Sequence, residues 1–233
     1  MNLLEIANQC CIRCGDPTLR SVFSTEDNST EWLGYLSQAA AAIPIAHNWS
    51  ALTKDFTFVT SGNKSVYDLP TDFDDMASYN LYNLTNMRYI PCAGNDVELW
   101  KQATRNRSQS SIHFRIMGGK IVFTYPIEDG ITLKFTYTSE KPVKYTDSNG
   151  NVTYKQNFSN DDDTFLLDDE LLILKAISLR AKNLGLAEAP LREQDYQERL
   201  ENKMVKDGGN IKFNMFTQPY INKTTPVEWN KQV

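Results

Sequence analysis

The sequence predicts an α+β protein: a helical bundle built from N- and C-terminal helices, an inserted antiparallel β-sandwich or small barrel, and an extended C-terminal arm. Three observations predict this class. Apolar residues recur at helical spacing near both ends, alternate with polar residues in the middle, and show no helical period in the tail. We expect the bundle at 1–53 and 164–207, a β-meander or sandwich at 54–163, and the arm at 208–233.

The first predicted helix has one apolar face and a clear stop. Leu3, Ala7 and Cys10 recur at helical spacing. Gly15 and then Pro17 follow, and such residues end helices. We therefore expect this helix to end just before Gly15.

A second helix is predicted after a polar loop. Asn28 is placed to cap it, and Glu31 lies three residues later, as in a capping box. Pro44 removes a backbone donor near its end. We expect a kink there, because Ile45 and Trp49 continue the apolar pattern.

The middle of the chain alternates with period two between turn dipeptides. Gly62-Asn63, Gly118-Gly119 and Asp129-Gly130 each supply residues suited to tight hairpin turns. Three such turns predict a meander with one buried face. The polar stretch 141–163 is either a long loop or an extra hairpin.

Two more helices are predicted near the C-terminal end. Residues 166–184 are apolar nearly all round, which indicates a central helix ending at Gly185. Residues 188–206 carry only a narrow apolar stripe, which indicates a surface helix. The acidic run at 161–163 lacks the ligand spacing of a calcium loop. We expect it to favour the N-terminus of the central helix.

The tail after Gly208-Gly209 is apolar but has no helical period. Such side chains gain about 1.5–3 kcal/mol each when buried, and disordered tails avoid this composition. Self-packing remains possible, but we favour an arm that docks on another subunit through Ile211, Phe213, Met215, Phe216, Tyr220, Ile221 and Trp229.

Composition and motifs argue against several classes of function. No apolar run approaches the roughly 20 residues of a membrane span, and we expect neither a secretory signal nor a membrane partner. A net charge of −5 argues against a dedicated nucleic-acid binder. The sequence holds no phosphate loop, nucleophile elbow or dinucleotide fingerprint. We therefore expect no catalytic residues and no cofactor.

We interpret the isolated reactive residues as structural and not as parts of a catalytic or metal site. Cys11 and Cys14 form a CxxC pair that could be half a zinc site or a redox motif, but no second Cys or His pair accompanies it. We expect reduced thiols packed on a helix and no metal. Asp68 and Asp72 could suggest a hydrolase, but they more simply anchor the turn around Pro70. A basic stretch is expected to be a solvated face or a contact with an acidic neighbouring subunit: Lys101, Arg105, Arg107, Arg115 and Lys120.

The order of several motifs resembles the head-to-tail adaptor proteins of short-tailed bacteriophages. These motifs are the helical "LLEIANQCCIRCG", then "HNWSALTKDFTF", "SVYDLPTDFDDM", the hairpin "IMGGKIVFTYPIEDGITLKFTY" and the charged "AEAPLREQDYQERLENKM". The helix-to-sheet junction and its turn carry the likeness most clearly, through Trp49, Tyr67, Leu69, Pro70, Asp72 and Phe73.

This resemblance implies a structural virion protein without catalytic activity. It implies a homo-oligomeric ring of twelve copies beneath the portal protein, contacting a downstream tail component. DNA would pass through the channel without sequence-specific binding, and assembly would take place in the host cytoplasm. Two alternatives stay open. One is another tail ring or tail-tube component, and the other is a carbohydrate-binding β-sandwich that uses Trp100, Tyr79 and Tyr82.

Overall fold

A computed structural model of the protein describes residues 1–94, 96–105 and 112–208. The helices are α1 Leu3–Cys14, α2 Asp27–Ile45, α3 Val97–Arg105, α4 Asp169–Asn183 and α5 Ala189–Asp207. The strands are β1 Thr53–Val59, β2 Val66–Asp68, β3 Phe73–Met76, β4 Asn80–Asn83, β5 Arg88–Pro91, β6 Phe114–Met117, β7 Lys120–Phe123, β8 Thr132–Ser139, β9 Val143–Thr146, β10 Val152–Lys155 and β11 Thr164–Phe165. These elements confirm the predicted α+β class.

Helix α1 begins and ends with local signals in the sequence. Asn2 caps it by accepting a hydrogen bond from the Glu5 backbone, and the Glu5 side chain accepts one in return. Gly15 follows the last turn with a φ of 76°, a conformation that glycine adopts without a steric penalty. The predicted stop at Gly15 is therefore confirmed.

Helix α2 differs from its prediction at both ends. It begins at Asp27 after Glu26, so the predicted Asn28 cap is wrong; the Asn28 amide instead donates to the Pro17 carbonyl over 3.3 Å. The predicted continuation of the helix past Pro44 towards Trp49 is also wrong, because α2 ends at Ile45. The Trp49 indole and the Ala46 backbone N–H both donate to the Ile43 carbonyl, which a continuing helix would have used.

Helix α4 lies at the centre of the bundle and packs against α1, α2 and α5. Asp168 caps it by accepting from the Leu171 backbone over 3.0 Å, so the expected role of residues 161–163 at this helix is wrong. Asp161 instead accepts from the Val22 backbone, and the fully buried Asp163 accepts from the Ser159 backbone. These carboxylates organise the loop before β11.

The β region contains two sheets that share one core. The larger sheet has the order β1-β8-β4-β5, and β3 also pairs with β8. The second sheet has the order β2-β7-β6. Both sheets are open in the part of the chain described, which corresponds to the sandwich alternative of the prediction and not to the small barrel. The shared buried cluster is Met76, Leu81, Ile90, Phe114, Ile121, Phe123, Ile127, Leu133, Phe135 and Tyr137.

Only one of the three predicted turns joins two strands that pair with each other. Gly118 and Gly119 both have positive φ and connect β6 to β7 directly. Gly62-Asn63 and Gly130 also have positive φ. However, β1 pairs with β8 while β2 pairs with β7, so these turns carry the chain from one sheet to the other. The predicted meander is wrong.

Residues 141–163 contain the extra hairpin that the sequence left open. Strands β9 and β10 pair across a turn organised by Asp147, and β11 adds on the other side of β9. Val143, Phe158 and Phe165 belong to the same buried cluster as the helices. The buried side chains thus associate this segment with the bundle, while the predicted domain limits stay a prediction.

Candidate functional site at the helix-to-sheet junction

The junction between α2 and β1 is a buried turn fixed by aromatic packing. Trp49 is 4% exposed, and its indole N–H donates to the Ile43 carbonyl over 3.0 Å. The ring of His47 meets the Trp49 ring edge-on at 5.1 Å. Because Trp49 uses a carbonyl at the end of α2, it holds the chain in the direction that leads to β1.

The end of α5 is attached to the same junction. The Asp207 carboxylate accepts from the Ser50 backbone N–H over 2.8 Å and from the Ser50 hydroxyl over 2.7 Å. His47 Nε2 lies 3.6 Å from the same carboxylate. Gly208 follows in a left-handed conformation. These contacts fix the end of α5 and Gly208 beside the junction.

Asp72 is the principal buried charge of the sandwich. Its carboxylate accepts from Lys54 Nζ over 2.6 Å, from the Ser139 hydroxyl over 2.7 Å and from the Tyr137 hydroxyl over 2.8 Å. Lys54 comes from β1, whereas Ser139 and Tyr137 come from β8. The carboxylate therefore cross-links the β2–β3 turn to two neighbouring strands.

This network shifts the pKa values of its members. Burial acts to raise the pKa of Asp72, but the hydrogen bonds from Lys54, Ser139 and Tyr137 outweigh it and lower the pKa to about 2. Burial and the bond to Asp72 raise the pKa of Tyr137. Asp72 is thus held ionised as an acceptor, which fits its predicted role as the anchor of the Pro70 turn.

The other motif residues build the corner around this anchor. The Phe73 backbone N–H donates to the Pro70 carbonyl over 3.1 Å, which closes the turn. The Phe73 ring stacks on Tyr137 at 5.8 Å. Tyr67 packs its ring on Phe58 at 5.2 Å, and Leu69 packs against the sandwich cluster. These positions stabilise the passage between the two sheets.

The partners in this junction were not identified from the sequence. The sequence does not single out Lys54, Ser139 or Asp207, because their partners lie 18, 67 and 157 residues away along the chain. The sequence offers only an indirect signal: an aspartate directly after a Leu-Pro-Thr turn needs hydrogen-bond donors when it is buried. This signal indicates that donors surround the aspartate, but it does not indicate which residues they are.

The predicted acidic pair is divided between two environments. Asp68 is exposed and forms a surface ion pair of 2.9 Å with Lys120, whereas Asp72 is buried in its network. The two carboxylates therefore play different structural parts.

The cysteines are free and mostly packed in the bundle. Cys10 and Cys11 are fully buried, as the sequence predicts. Burial raises the pKa of the Cys11 thiol to about 11 and also raises the pKa of Cys14. Among the described residues, no group of three or more His, Cys, Asp or Glu side chains is placed to hold a metal ion.

Two residues of the basic stretch form ion pairs within the chain, and a third contacts an aromatic ring. Lys101 pairs with Glu98 at 2.8 Å, and Lys120 pairs with Asp68. The Arg115 guanidinium lies over the Trp100 ring at 4.2 Å. Arg107 lies outside the described residues.

The candidate sugar-binding aromatics lie on three different parts of the fold. Trp100 lies on α3 and is covered by Arg115. Tyr79 lies in the β3–β4 connection and is half exposed. Tyr82 on β4 instead pairs across the strands with Tyr89, a residue that the sequence reasoning missed, with ring centroids 4.9 Å apart.

The predicted arm residues Ile211 to Trp229 lie outside the described part of the chain. The last described residue, Gly208, lines a groove of about 470 Å³. The same groove is also lined by Asn48, Thr53, Ala77 and Thr136. Gly208 therefore lies between the bundle and the larger sheet.

In the part of the chain described, no helix has both the length and the apolar character to cross a lipid bilayer.

Comparison with known proteins identifies one family. The family model described as SU10 adaptor protein matches residues 1–213. This match covers the bundle, the sandwich and the first residues after Gly208. No curated protein matches the chain.

Proposed function

We propose, from the premise that this chain belongs to the SU10 adaptor protein family, that its copies form a ring beneath the phage portal. Membership makes the chain a structural adaptor of the head-to-tail type. We further propose that the ring joins the capsid to the tail and continues the DNA channel. The observation that carries it is the family match across 213 residues, because it includes both the bundle and the sandwich.

The α4–α5 connection supports a contact between neighbouring copies. Leu184, Leu186 and Leu191 expose 49%, 41% and 58% of their surface within eight residues. Leu186 lines a cavity of about 190 Å³ with Arg13 and Arg192. Clustered exposed leucines favour association with another protein surface. In the proposed ring, the helices form the wall between copies and the sandwich faces the next tail component.

The net charge and the ion pairs of the chain support passage of DNA without tight binding. The chain has a net charge of −5, and Lys101, Lys120 and Lys134 are each paired with a carboxylate. Each phosphate that a protein neutralises adds affinity for DNA. A channel wall of this kind would let DNA slide.

The C-terminal arm is proposed to hold the ring to its neighbours. Its apolar residues (Ile211, Phe213, Met215, Phe216, Tyr220, Ile221 and Trp229) follow Gly208 in the sequence. An arm that begins at a defined point can add to the groove of the portal or of an adjacent copy. The assembled protein would then be located in the virion after assembly in the host cytoplasm.

The proposal is tested by the oligomeric state with and without portal. Mass photometry of the full chain mixed with portal should show a ring on the portal, at the proposed twelve copies. A triple variant of Leu184, Leu186 and Leu191 to serine should reduce ring formation, while Val205→Ser, with 82% exposure on α5, serves as the control. A chain that remains solitary with portal would overturn the ring.

A further inference from the structure

The larger sheet has an outer face that turns away from the sandwich core. Phe58, Leu133 and Phe135 point into the core, so their neighbours along each strand point outward. We call this the outer face. Its members in register across four strands are Thr57, Lys134, Tyr82 and Tyr89.

One end of the outer face exposes large apolar side chains. Tyr89 exposes 70% of its surface, Met87 exposes 71% and Val59 exposes 57%. The Tyr82 hydroxyl donates to the Met87 sulfur over 3.2 Å, beside the Tyr82–Tyr89 ring contact. Aromatic residues and methionine are enriched where proteins bind other segments. This end of the face is therefore suited to an apolar occupant.

The other end of the outer face lies beside Gly208, the last described residue. Thr136 is an outer-face residue of β8, and it lines the groove that Gly208 enters. Asp207 is fixed there by Ser50. The buried Oδ1 of Asn48, also in this groove, has no hydrogen-bond partner among the described residues. The groove thus offers an acceptor to a backbone N–H of a chain lying in it.

The distance from the groove to the tyrosines is short. Thr136 and Tyr89 are separated by two residues along a strand and by two strands across the sheet. These steps amount to about 12 Å, which about four extended residues can span. Phe213 lies five residues beyond Gly208. The arm of the same chain can therefore reach Tyr89.

The sequence at the start of the arm matches such a surface. Ile211, Phe213 and Met215 alternate with Lys212 and Asn214. Alternation of this kind places the apolar side chains on one side of an extended segment. That side can cover the outer face while the polar side remains in water.

We propose that the outer face is the docking site for residues 209–216 of the same chain. Its occupant is apolar and extended, and Phe213 or Met215 covers Tyr89 and Met87. This docking holds Ile211, Phe213, Met215 and Phe216 on their own subunit. It therefore narrows the contacts proposed above between the arm and other proteins to Tyr220, Ile221 and Trp229. It is a property of the single chain, so its failure is distinguishable from failure of the proposed ring.

The first test is a disulfide between the two surfaces in the full chain. A chain with Tyr89→Cys and Phe213→Cys is mildly oxidised, and the intramolecular disulfide is measured by intact mass after alkylation. The matched control combines Phe213→Cys with Met117→Cys, which is 51% exposed on the hairpin of the second sheet. The first pair should close at least about tenfold faster, because docking raises the effective concentration of one thiol near the other.

Two results of this experiment would overturn the proposal. One is equal closure rates for the two pairs. The other is a disulfide that forms only between chains when the two single variants are mixed, which would make a second copy the occupant.

The second test uses no cysteine and keeps Tyr89 in place. Nitration of Tyr89 is followed by mass spectrometry in the full chain and in a Phe213→Ser, Met215→Ser variant. The rate should rise severalfold in the variant because the tyrosine is uncovered. Tyr79, which is half exposed in the β3–β4 connection, should keep its rate. An unchanged rate at Tyr89 would contradict the docking.

Discussion

The core of the bundle and the core of the sandwich are filled by different kinds of side chain. The helices contribute mainly leucine, isoleucine, alanine and cysteine, including the small Ala39 and Ala40 on the buried face of α2. In the sandwich, four of the ten buried cluster residues are aromatic, namely Phe114, Phe123, Phe135 and Tyr137. Small residues let helices approach closely, whereas two sheets packed about 10 Å apart need large side chains between them.

The two regions also differ in where they place their charges. In the bundle, Asp168 lies at the start of α4 and pairs with Arg199 and Lys203 on α5. In the sandwich, Asp72 lies inside and accepts three hydrogen bonds. The packing of the helices should therefore depend mainly on the shape of their core, and the sandwich should depend in addition on one buried carboxylate.

The largest effect is expected from Trp32→Ala in the bundle. Trp32 is fully buried on α2, its indole donates to Asp16, and Arg180 lies over its ring at 5.2 Å. Removing it should lower the free energy of unfolding by about 3–5 kcal/mol, measured by urea denaturation. Ile45→Ala, at a 71% exposed position of the same helix, should change it by less than about 0.5 kcal/mol. Similar losses for both variants would refute the role of core shape.

The next effect is expected from Asp72→Ala in the sandwich. The substitution leaves Lys54 and the hydroxyls of Tyr137 and Ser139 without their acceptor, so the free energy of unfolding should fall by about 3 kcal/mol. Asp74→Ala, two residues away and exposed, is the matched control for urea denaturation. If both aspartates gave the same small loss, the sandwich would not depend on this carboxylate.

A smaller loss of stability is expected when the pH is lowered. The pKa of Asp72 is lowered from 3.8 to about 2 in the folded protein, so its ionised form stabilises the fold. This contribution is complete above about pH 4 and is lost as the pH falls through 2, and it amounts to about 2 kcal/mol. Unfolding measured between pH 5 and 2 should show it, and Asp72→Asn should lack this part of the pH dependence. An unchanged pH profile in Asp72→Asn would show that other carboxylates account for it.

The smallest effect is expected where the two regions meet. Asp207→Ala removes two hydrogen bonds to Ser50 and should cost about 1 kcal/mol. Asp195→Ala on the exposed side of the same helix is the control in the same denaturation experiment. A loss as large as that of Asp72→Ala would mean that the junction, and not the sandwich interior, carries the main polar contribution.

Turn residues show how far local sequence determines the fold. Gly118-Gly119 predicts a hairpin correctly because the strands on either side, β6 and β7, pair with each other. Gly62-Asn63 provides the same backbone conformation, but the strands on either side belong to different sheets. A turn dipeptide specifies a change of direction, whereas the partner of each strand depends on segments far away in sequence.

The candidate site divides in a similar way. The motif residues Trp49, Tyr67, Leu69, Pro70, Asp72 and Phe73 were found from the sequence, and the structure places them at the junction and its adjoining corner. Their partners Lys54, Tyr137 and Ser139 were not found, because hydrogen bonds across strands leave no spacing in the sequence. Tyr89 was also missed, because its exposure and its ring contact with Tyr82 depend on the pairing of β4 with β5.

The sequence by itself determined the α+β class, the helices at both ends, the resemblance to head-to-tail adaptors and the apolar character of the arm. These follow from periodicity, composition and the order of motifs, all of which are local or additive along the chain. Only the tertiary structure decided which strands pair, that Asp72 is a buried acceptor, and that Gly208 lies in a groove beside the outer face. Those features depend on contacts between residues far apart in sequence, which are formed by packing and are not encoded in any single segment.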